Sequence, residues 1–255
     1  MRQNLISLQS IARKEMTRIF RIWIQTLVPP VITITLYFII FGTFIGSQLG
    51  EMSGYSYMAY IAPGLIMMSI ITNSYSNTVS SFFSAKFQRN VEELLVSPTP
   101  NYIIVLGYVA GGMTRGLSVG FLVSIVSLFF IRLPIYNLFY AILFAFLTSF
   151  VFSLAGMING IYAKKFDDIS IIPTFIITPL TYLGGVFYSI SLLPDFWQTL
   201  SKANPIVYMI NGFRYGFLGT SDINVYSGIG MLLLFSVVLF SFNLYLFKKG
   251  IGIRT

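Results

Sequence analysis

Long apolar segments, separated by short polar or charged connections, are the feature that most constrains this chain. Six such segments lie at about residues 30–46, 61–84, 102–131, 138–162, 169–187 and 226–247. A bilayer core about 30 Å thick requires about 20 apolar residues in a helix. Charged residues make up 9% of the 255 positions, whereas a soluble domain carries about 25%. The pattern predicts an all-α polytopic membrane protein with six transmembrane helices.

Residues 1–28 precede the first apolar segment and have a different pattern. An apolar stripe runs along one side of a helix through positions such as Leu8, Ala12 and Ile19, and basic residues such as Arg13 and Lys14 lie on the other side. Basic amphipathic helices bind the headgroup region of anionic membranes. We therefore expect an N-terminal interfacial helix over residues 1–28, on the cytoplasmic side.

A charged segment at residues 85–101 separates the second and third apolar segments. If it is one helix, an apolar face carries Phe87, Val91, Leu94 and Leu95, and the remaining faces carry Lys86, Arg89, Glu92 and Glu93. Two prolines, Pro98 and Pro100, end the helix because each lacks a backbone N–H. The spacing predicts an amphipathic helix along the membrane surface, with its charged side chains directed outward.

The second and third apolar segments contain polar and charged residues at membrane depth. Asn73 and Asn77 lie one helical turn apart, within a stripe that also includes Ser69 and Ser80. Such a stripe forms hydrogen bonds between helices or lines a translocation path, and the sequence leaves both readings open. For Arg115 we favour an anchor or ion pair near the membrane interface over a deep substrate-binding site, because a central charge is costly.

Glycines at intervals of four residues predict close contacts between helices. The rows are Gly107 with Gly111, Gly112 with Gly116 and Gly120, and Gly156 with Gly160. Small residues at this spacing allow two helix backbones to approach each other within a membrane. We expect these rows to mark the packed faces of the third and fourth spans.

Residues 188–225 are apolar but contain no uninterrupted segment long enough to cross a bilayer. Pro194 opens one short helix, and Asn204 with Pro205 forms the N-cap and first position of another, which Gly219 ends. The second helix carries Arg214. We expect two short re-entrant helices that enter or lie on the outer leaflet.

The distribution of basic residues predicts the orientation of the chain. With six spans, one side carries twelve basic residues, namely Arg2, Arg13, Lys14, Arg18, Arg21, Lys86, Arg89, Lys164, Lys165, Lys248, Lys249 and Arg254. The other side carries three, Arg132, Lys202 and Arg214, and Arg115 is left out of the count. By the positive-inside rule, both termini are cytoplasmic. This rule also accounts for the net charge of +8 without any binding of nucleic acid.

Several kinds of chemistry are absent from the sequence. The chain has no Cys and no His, which excludes thiol catalysis, disulfides and a histidine proton relay. Its eight acidic residues lie at the ends of predicted spans or in connections, so no buried acid for ion coupling is expected. It also lacks the glycine-rich phosphate-binding loop of many ATPases. We therefore expect no catalytic, cofactor-binding or metal-binding residues, and a translocation path that a separate partner drives.

Several strings in this order resemble those of ABC-2-type transporter permeases. They are Trp23-Ile-Gln-Thr-Leu-Val-Pro-Pro30, Tyr60-Ile-Ala-Pro-Gly64, Lys86-Phe-Gln-Arg-Asn-Val-Glu-Glu-Leu-Leu95, Phe166-Asp-Asp168, and Asn204-Pro-Ile-Val-Tyr208 with Gly212-Phe-Arg-Tyr-Gly216. The resemblance covers nearly the whole chain and implies a transmembrane domain over residues 22–252. It also implies a bacterial inner-membrane location.

The resemblance further implies the partners and the mechanism. A homodimer would export its substrate, and each copy would bind a separately encoded cytoplasmic ATPase subunit that holds the ATP. Residues 86–100 would be the cytoplasmic coupling helix, with Phe87, Arg89, Glu92, Glu93 and Leu94 at the contact, and the two outer helices would cap the exit. Two alternatives remain, an ion-coupled secondary transporter and a membrane scaffold that transports nothing. The sequence does not identify the substrate.

Overall fold

The computed structural model describes residues 2–252, which are mostly helical; Arg254, one of the basic residues counted above, lies outside this range. The α-helices are α1 (Arg2–Arg21), α2 (Trp23–Tyr37), α3 (Gly46–Leu49), α4 (Tyr57–Phe87), α5 (Asn90–Val96), α6 (Asn101–Phe130), α7 (Leu138–Tyr162), α8 (Asp168–Ile172), α9 (Thr178–Tyr182), α10 (Asp195–Lys202), α11 (Pro205–Leu218) and α12 (Val225–Lys249). Strands β1 (Glu51–Met52) and β2 (Tyr55–Ser56) form a short antiparallel hairpin.

Four helical segments are long and apolar enough to cross a membrane, within residues 2–252. They are Trp23–Gly42, Asn101–Phe130, Leu138–Tyr162 and Val225–Lys249. Three of them closely match predicted spans 102–131, 138–162 and 226–247. The first predicted span, 30–46, begins too late, because the helix starts at Trp23 and includes Pro29 and Pro30 in its interior. Membrane helices tolerate interior prolines where neighbouring groups replace the lost hydrogen bonds.

The second and fifth predicted spans, 61–84 and 169–187, are not among these four long apolar segments. Helix α4 has 31 residues, which is long enough, but its Ser and Asn residues reduce its apolar character. It begins at Tyr57 rather than near Ala62, because the Ser56 side chain caps it by accepting a hydrogen bond from the Ala59 N–H at 3.4 Å. The predicted span 169–187 is instead a shorter apolar helix, Asp168–Tyr182, with a π-helical turn at Pro173–Ile177.

Helix α4 lies at the centre of the molecule and packs against α6, α7 and α11. One glycine row of each of the two neighbouring spans faces it. Gly112 and Gly116 of α6 lie against Ser74, and Gly156 and Gly160 of α7 lie against the backbone of Tyr75 and Val79. These contacts confirm the close packing that the glycine spacing predicts. They also explain why a polar helix can occupy the centre, since small residues let its neighbours surround it.

The N-terminal helix α1 packs on α6 by one narrow face. Ile11 and Glu15 lie over Gly107 and Gly111 of α6, and Ile19 is completely buried. Leu5 and Met16, by contrast, are exposed. The amphipathic helix predicted over residues 1–28 is therefore present as α1 up to Arg21, and it has a specific partner within the chain.

The predicted pair of short helices is present as α10 and α11. Helix α11 packs near the N-terminal end of α4, whereas α1 contacts the C-terminal end of α4. The Asn204 side chain caps α11 by accepting a hydrogen bond from the Ile206 N–H at 3.0 Å, and Pro205 occupies the first helical position. Gly219 ends α11 with a φ of 72°, in the left-handed region. Within α11 the Arg214 side chain is buried rather than at the surface.

Candidate functional site

The charged segment at residues 86–100 lies at one end of the helical core, and it is not the continuous helix that the sequence predicts. Helix α4 ends at Phe87, and Arg89 has a φ of 62°, in the left-handed region. Helix α5 then starts at Asn90. The break removes the periodic face, because Phe87 and Leu94 belong to different helices.

The side chains of this segment divide into one buried anchor and an exposed charged surface. Val91 is buried in an apolar cluster with Phe82 and Ile103, and Leu94 is half-buried beside the same cluster. Arg89, Glu92 and Glu93 are exposed, and Phe87 is 64% exposed. The charges therefore face outward, as the sequence predicts.

We call Phe87, Arg89, Glu92 and Glu93 together the charged turn. Its Phe87 ring makes an edge contact with Phe166, with centroids 5.2 Å apart. The charged turn thus contacts the connection between α7 and α8. In that connection, the Asp168 carboxylate accepts hydrogen bonds from the backbone N–H groups of Lys164 and Lys165, at 2.8 and 3.0 Å. These bonds lower the pKa of Asp168.

Lys86 has a structural position rather than the solvated one that the predicted amphipathic helix would give it. Its ammonium donates hydrogen bonds to the carbonyl oxygens of Ile161 and Ala163, both at 2.6 Å, and of Gly252 at 3.2 Å. Burial lowers the pKa of this ammonium. Lysine commonly satisfies the free carbonyls at a helix C-terminus, and here it ties the end of α4 to the end of α7 and to the residues after α12.

A second polar region lies along α4, and it brings together two of the residues singled out in the sequence. Asn73 and Arg115 line one cavity of about 350 Å³ between α2, α4 and α6. Asn77 does not line it, and its side-chain oxygen instead accepts a hydrogen bond from Arg18 Nη2 at 2.9 Å. Within the polar stripe, Asn77 therefore forms a hydrogen bond between helices, and Asn73 faces a cavity.

Glu15 is a buried acid, contrary to the prediction from the sequence that the chain has no buried acid. It is 1% exposed. Its carboxylate accepts hydrogen bonds from Ser81 Oγ at 2.6 Å and from Arg18 Nη2 at 3.1 Å. The spacing of Ile11, Glu15 and Ile19 at intervals of four places Glu15 on the face that packs against Gly111, and this signal was available in the sequence.

Arg214 holds the opposite end of the core together. Its Nη2 donates to the Gly185 carbonyl at 2.6 Å, and its Nε donates to the Tyr60 carbonyl at 3.3 Å. The guanidinium also lies 4.0 Å from the centroid of the Tyr60 ring, within the range of a cation–π contact. Arg214 therefore joins α11 to α4 and to the chain after α9.

Asp222 organises the same region from its surface side. Its carboxylate accepts hydrogen bonds from Ser189 Oγ at 2.8 Å and from the Ile190 N–H at 2.9 Å. Within residues 2–252, no group of three or more acidic side chains is arranged to hold a metal ion. The polar groups at this end are thus arranged for hydrogen bonding between chain segments.

Comparison with known proteins agrees with these features. The model of the family described as "ABC-2 type transporter" matches residues 6–218. The inner membrane transport permease YadH of Escherichia coli strain K12 is 58% identical over 250 residues, which cover 98% of each chain. Nodulation protein J of Rhizobium leguminosarum bv. viciae is 28% identical over 209 residues, which cover 82% of this chain and 81% of its own. This chain therefore belongs to the ABC-2 type family of membrane transport permeases.

Proposed function

We propose that this chain is the membrane-spanning permease subunit of an ATP-binding cassette exporter. It forms the translocation path, and a separate cytoplasmic ATPase subunit binds and hydrolyses the ATP. Family membership supports this reading, because the chain itself lacks a phosphate-binding loop. Two copies of the chain form the transporter in the bacterial inner membrane, with both termini in the cytoplasm.

The observation that carries the proposal is the charged turn at the end of α4. Arg89, Glu92 and Glu93 are exposed, while Val91 fixes α5 to the core. An exposed set of charges on a fixed backbone suits a specific protein contact, since charge complementarity determines register and partner choice. We propose that the ATPase docks on this surface, with Phe87 and the exposed part of Leu94 packing at its edge.

The contacts of Lys86 provide a route by which docking reaches the transmembrane helices. Because its ammonium joins the ends of α4 and α7, a displacement of the charged turn moves both helices together. Helix α4 is the central helix and continues to the Arg214 contacts at the opposite end. ATP-driven motion of the partner thereby shifts the equilibrium between inward-open and outward-open states. The two short outer helices, α10 and α11, cap the exit.

The test is a change of charge at the docking surface. We expect the double variant Glu92→Arg with Glu93→Arg to abolish co-purification of a co-expressed partner ATPase subunit. The double variant Glu92→Gln with Glu93→Gln should weaken it. A matched control, Glu51→Gln with Asp195→Asn, also removes two exposed acids but lies at the opposite end of the helices.

The control should retain the ATPase at the wild-type ratio, and all variants should insert into the membrane in equal amounts. Undiminished binding of the ATPase by the charge-reversed variant would contradict docking at the charged turn. A permease that never co-purifies with an ATPase, and whose purified form does not stimulate ATP hydrolysis, would contradict the proposed function as a whole.

A further inference from the structure

The cavity between α2, α4 and α6 contains a positive charge that the chain itself does not neutralise. We call this cavity the Arg115 pocket. Its polar lining groups include Gln25, Thr33, Asn73, Ser76 and Arg115, and its volume is about 350 Å³. The two prolines of α2, Pro29 and Pro30, also line it.

Arg115 has no acidic partner among the described residues. Its Nε is buried and lacks a hydrogen-bond partner there. The buried acid on the neighbouring helix, Glu15, is already engaged with Arg18 and Ser81. An arginine side chain stays protonated in proteins. The guanidinium therefore brings an uncompensated positive charge into the pocket.

A second arginine, Arg18, lies on the same face of α4, and its guanidinium is paired with Glu15 at 3.1 Å. Arg18 donates to Asn77, which lies one helical turn from Asn73 of the pocket. The outer side of α1 continues this pattern, because Arg13, Lys14, Arg18 and Arg21 line a shallow groove there. These basic groups attract anions to the surface of α1.

Part of the pocket wall is apolar. Pro30, Ile34 and Met68 line it beside the polar groups. A guanidinium pairs well with phosphate and carboxylate oxygens, often through two parallel hydrogen bonds. A charged donor with apolar walls beside it suits a molecule that has an anionic group and an apolar body.

We propose that the Arg115 pocket binds the phosphate or carboxylate group of an anionic amphiphile. Arg115 holds the oxyanion, the amide and hydroxyl groups of the lining complete its hydrogen bonds, and the apolar walls contact the body of the molecule. This assignment gives the transported substrate a chemical class. That the bound amphiphile is the transported substrate rests on the proposed export function. Binding of the amphiphile to the pocket does not require the ATPase.

The experiment measures binding to the purified full-length permease in a neutral detergent, without any ATPase. Dihexanoyl phosphatidic acid and dihexanoylglycerol are compared by native mass spectrometry, because these two ligands differ by the phosphate alone. We expect the wild-type chain to bind the phosphate-bearing ligand about tenfold more tightly or better. Arg115→Gln should remove this preference, while Arg115→Lys should keep part of it because the charge remains. The control is Arg132→Gln, which loses an exposed charge just after α6 and should bind as wild type does.

Inorganic phosphate distinguishes two sources of the anion. Competition by millimolar phosphate indicates a site that accepts a free anion, and resistance to it indicates a site that needs the apolar body as well. Equal binding of the two lipids by the wild-type chain would overturn the proposal, even if Arg115→Gln fails to fold. An equal loss in Arg115→Gln and Arg132→Gln would also overturn it. Neither result depends on ATPase docking at the charged turn, so the two proposals fail separately.

Discussion

Arg214 is a buried charge whose contribution to stability comes from the carbonyl groups that it satisfies. Its guanidinium donates to the Gly185 and Tyr60 carbonyls, which belong to separate segments. An ammonium cannot reach both in the same planar arrangement, and an unsatisfied buried acceptor costs about 1–3 kcal/mol. We therefore expect Arg214→Lys to lower the free energy of unfolding by about 1–3 kcal/mol, measured by denaturant-induced unfolding in detergent. The control Arg132→Lys changes an exposed residue and should behave as wild type. Equal stability of Arg214→Lys and wild type would refute the role of the guanidinium fork.

Some roles of single residues can be predicted from the sequence, and others cannot. Asn204 and Pro205 were recognised from their order alone, because a helix cap depends on local geometry. The hydrogen-bond partners of the buried Arg214 and Glu15 lie 154 and 66 residues away, respectively, and no local pattern identifies those partners. The spacing of Glu15 does place it on the packed face of α1. The absence of buried acids was the sequence argument against an ion-coupled transporter, and the burial of Glu15 weakens it. The choice of an ABC exporter subunit therefore depends on membership of the ABC-2 family.

Neighbouring helices in this molecule approach each other closely at glycine residues. The four-residue spacing of these glycines predicts this packing from the sequence. A Cβ added at Gly156 of α7 would lie 2.5 Å from the Tyr75 carbonyl oxygen of α4. We expect Gly156→Ala to separate the two helices and to cost about 1–3 kcal/mol in stability. The matched control is Gly230→Ala in α12, where an added Cβ meets nothing within 4 Å. Thermal unfolding in detergent compares the two, and an equal effect would argue against close packing of α7 on α4. The charged segment, in contrast, was not predictable as two helices, because its break is a left-handed conformation at Arg89 rather than at glycine.

At the scale of the whole molecule, the number of membrane crossings determines which side carries the charged turn. If the four long apolar segments alone cross, α4 stays on one side and the charged turn faces away from the N-terminus. If α4 and the shorter helix Asp168–Tyr182 also cross, six crossings place the charged turn and both termini in the cytoplasm. We favour six, because α4 is surrounded by α6, α7 and α11, so its polar side chains face protein rather than lipid. Hydropathy alone misses such a helix, since it measures contact with lipid that a central helix does not make.

Cysteine labelling of intact cells can distinguish the two arrangements without background, because the chain has no Cys. Gln88 and Thr199 are both exposed, at opposite ends of the helical core. With six crossings, a membrane-impermeant maleimide should label Thr199→Cys in intact cells and Gln88→Cys after permeabilisation alone. With four crossings, both positions lie outside and both variants should react before permeabilisation. Labelling of Gln88→Cys in intact cells would therefore rule out the cytoplasmic charged turn, and with it the docking of an ATPase at Glu92 and Glu93.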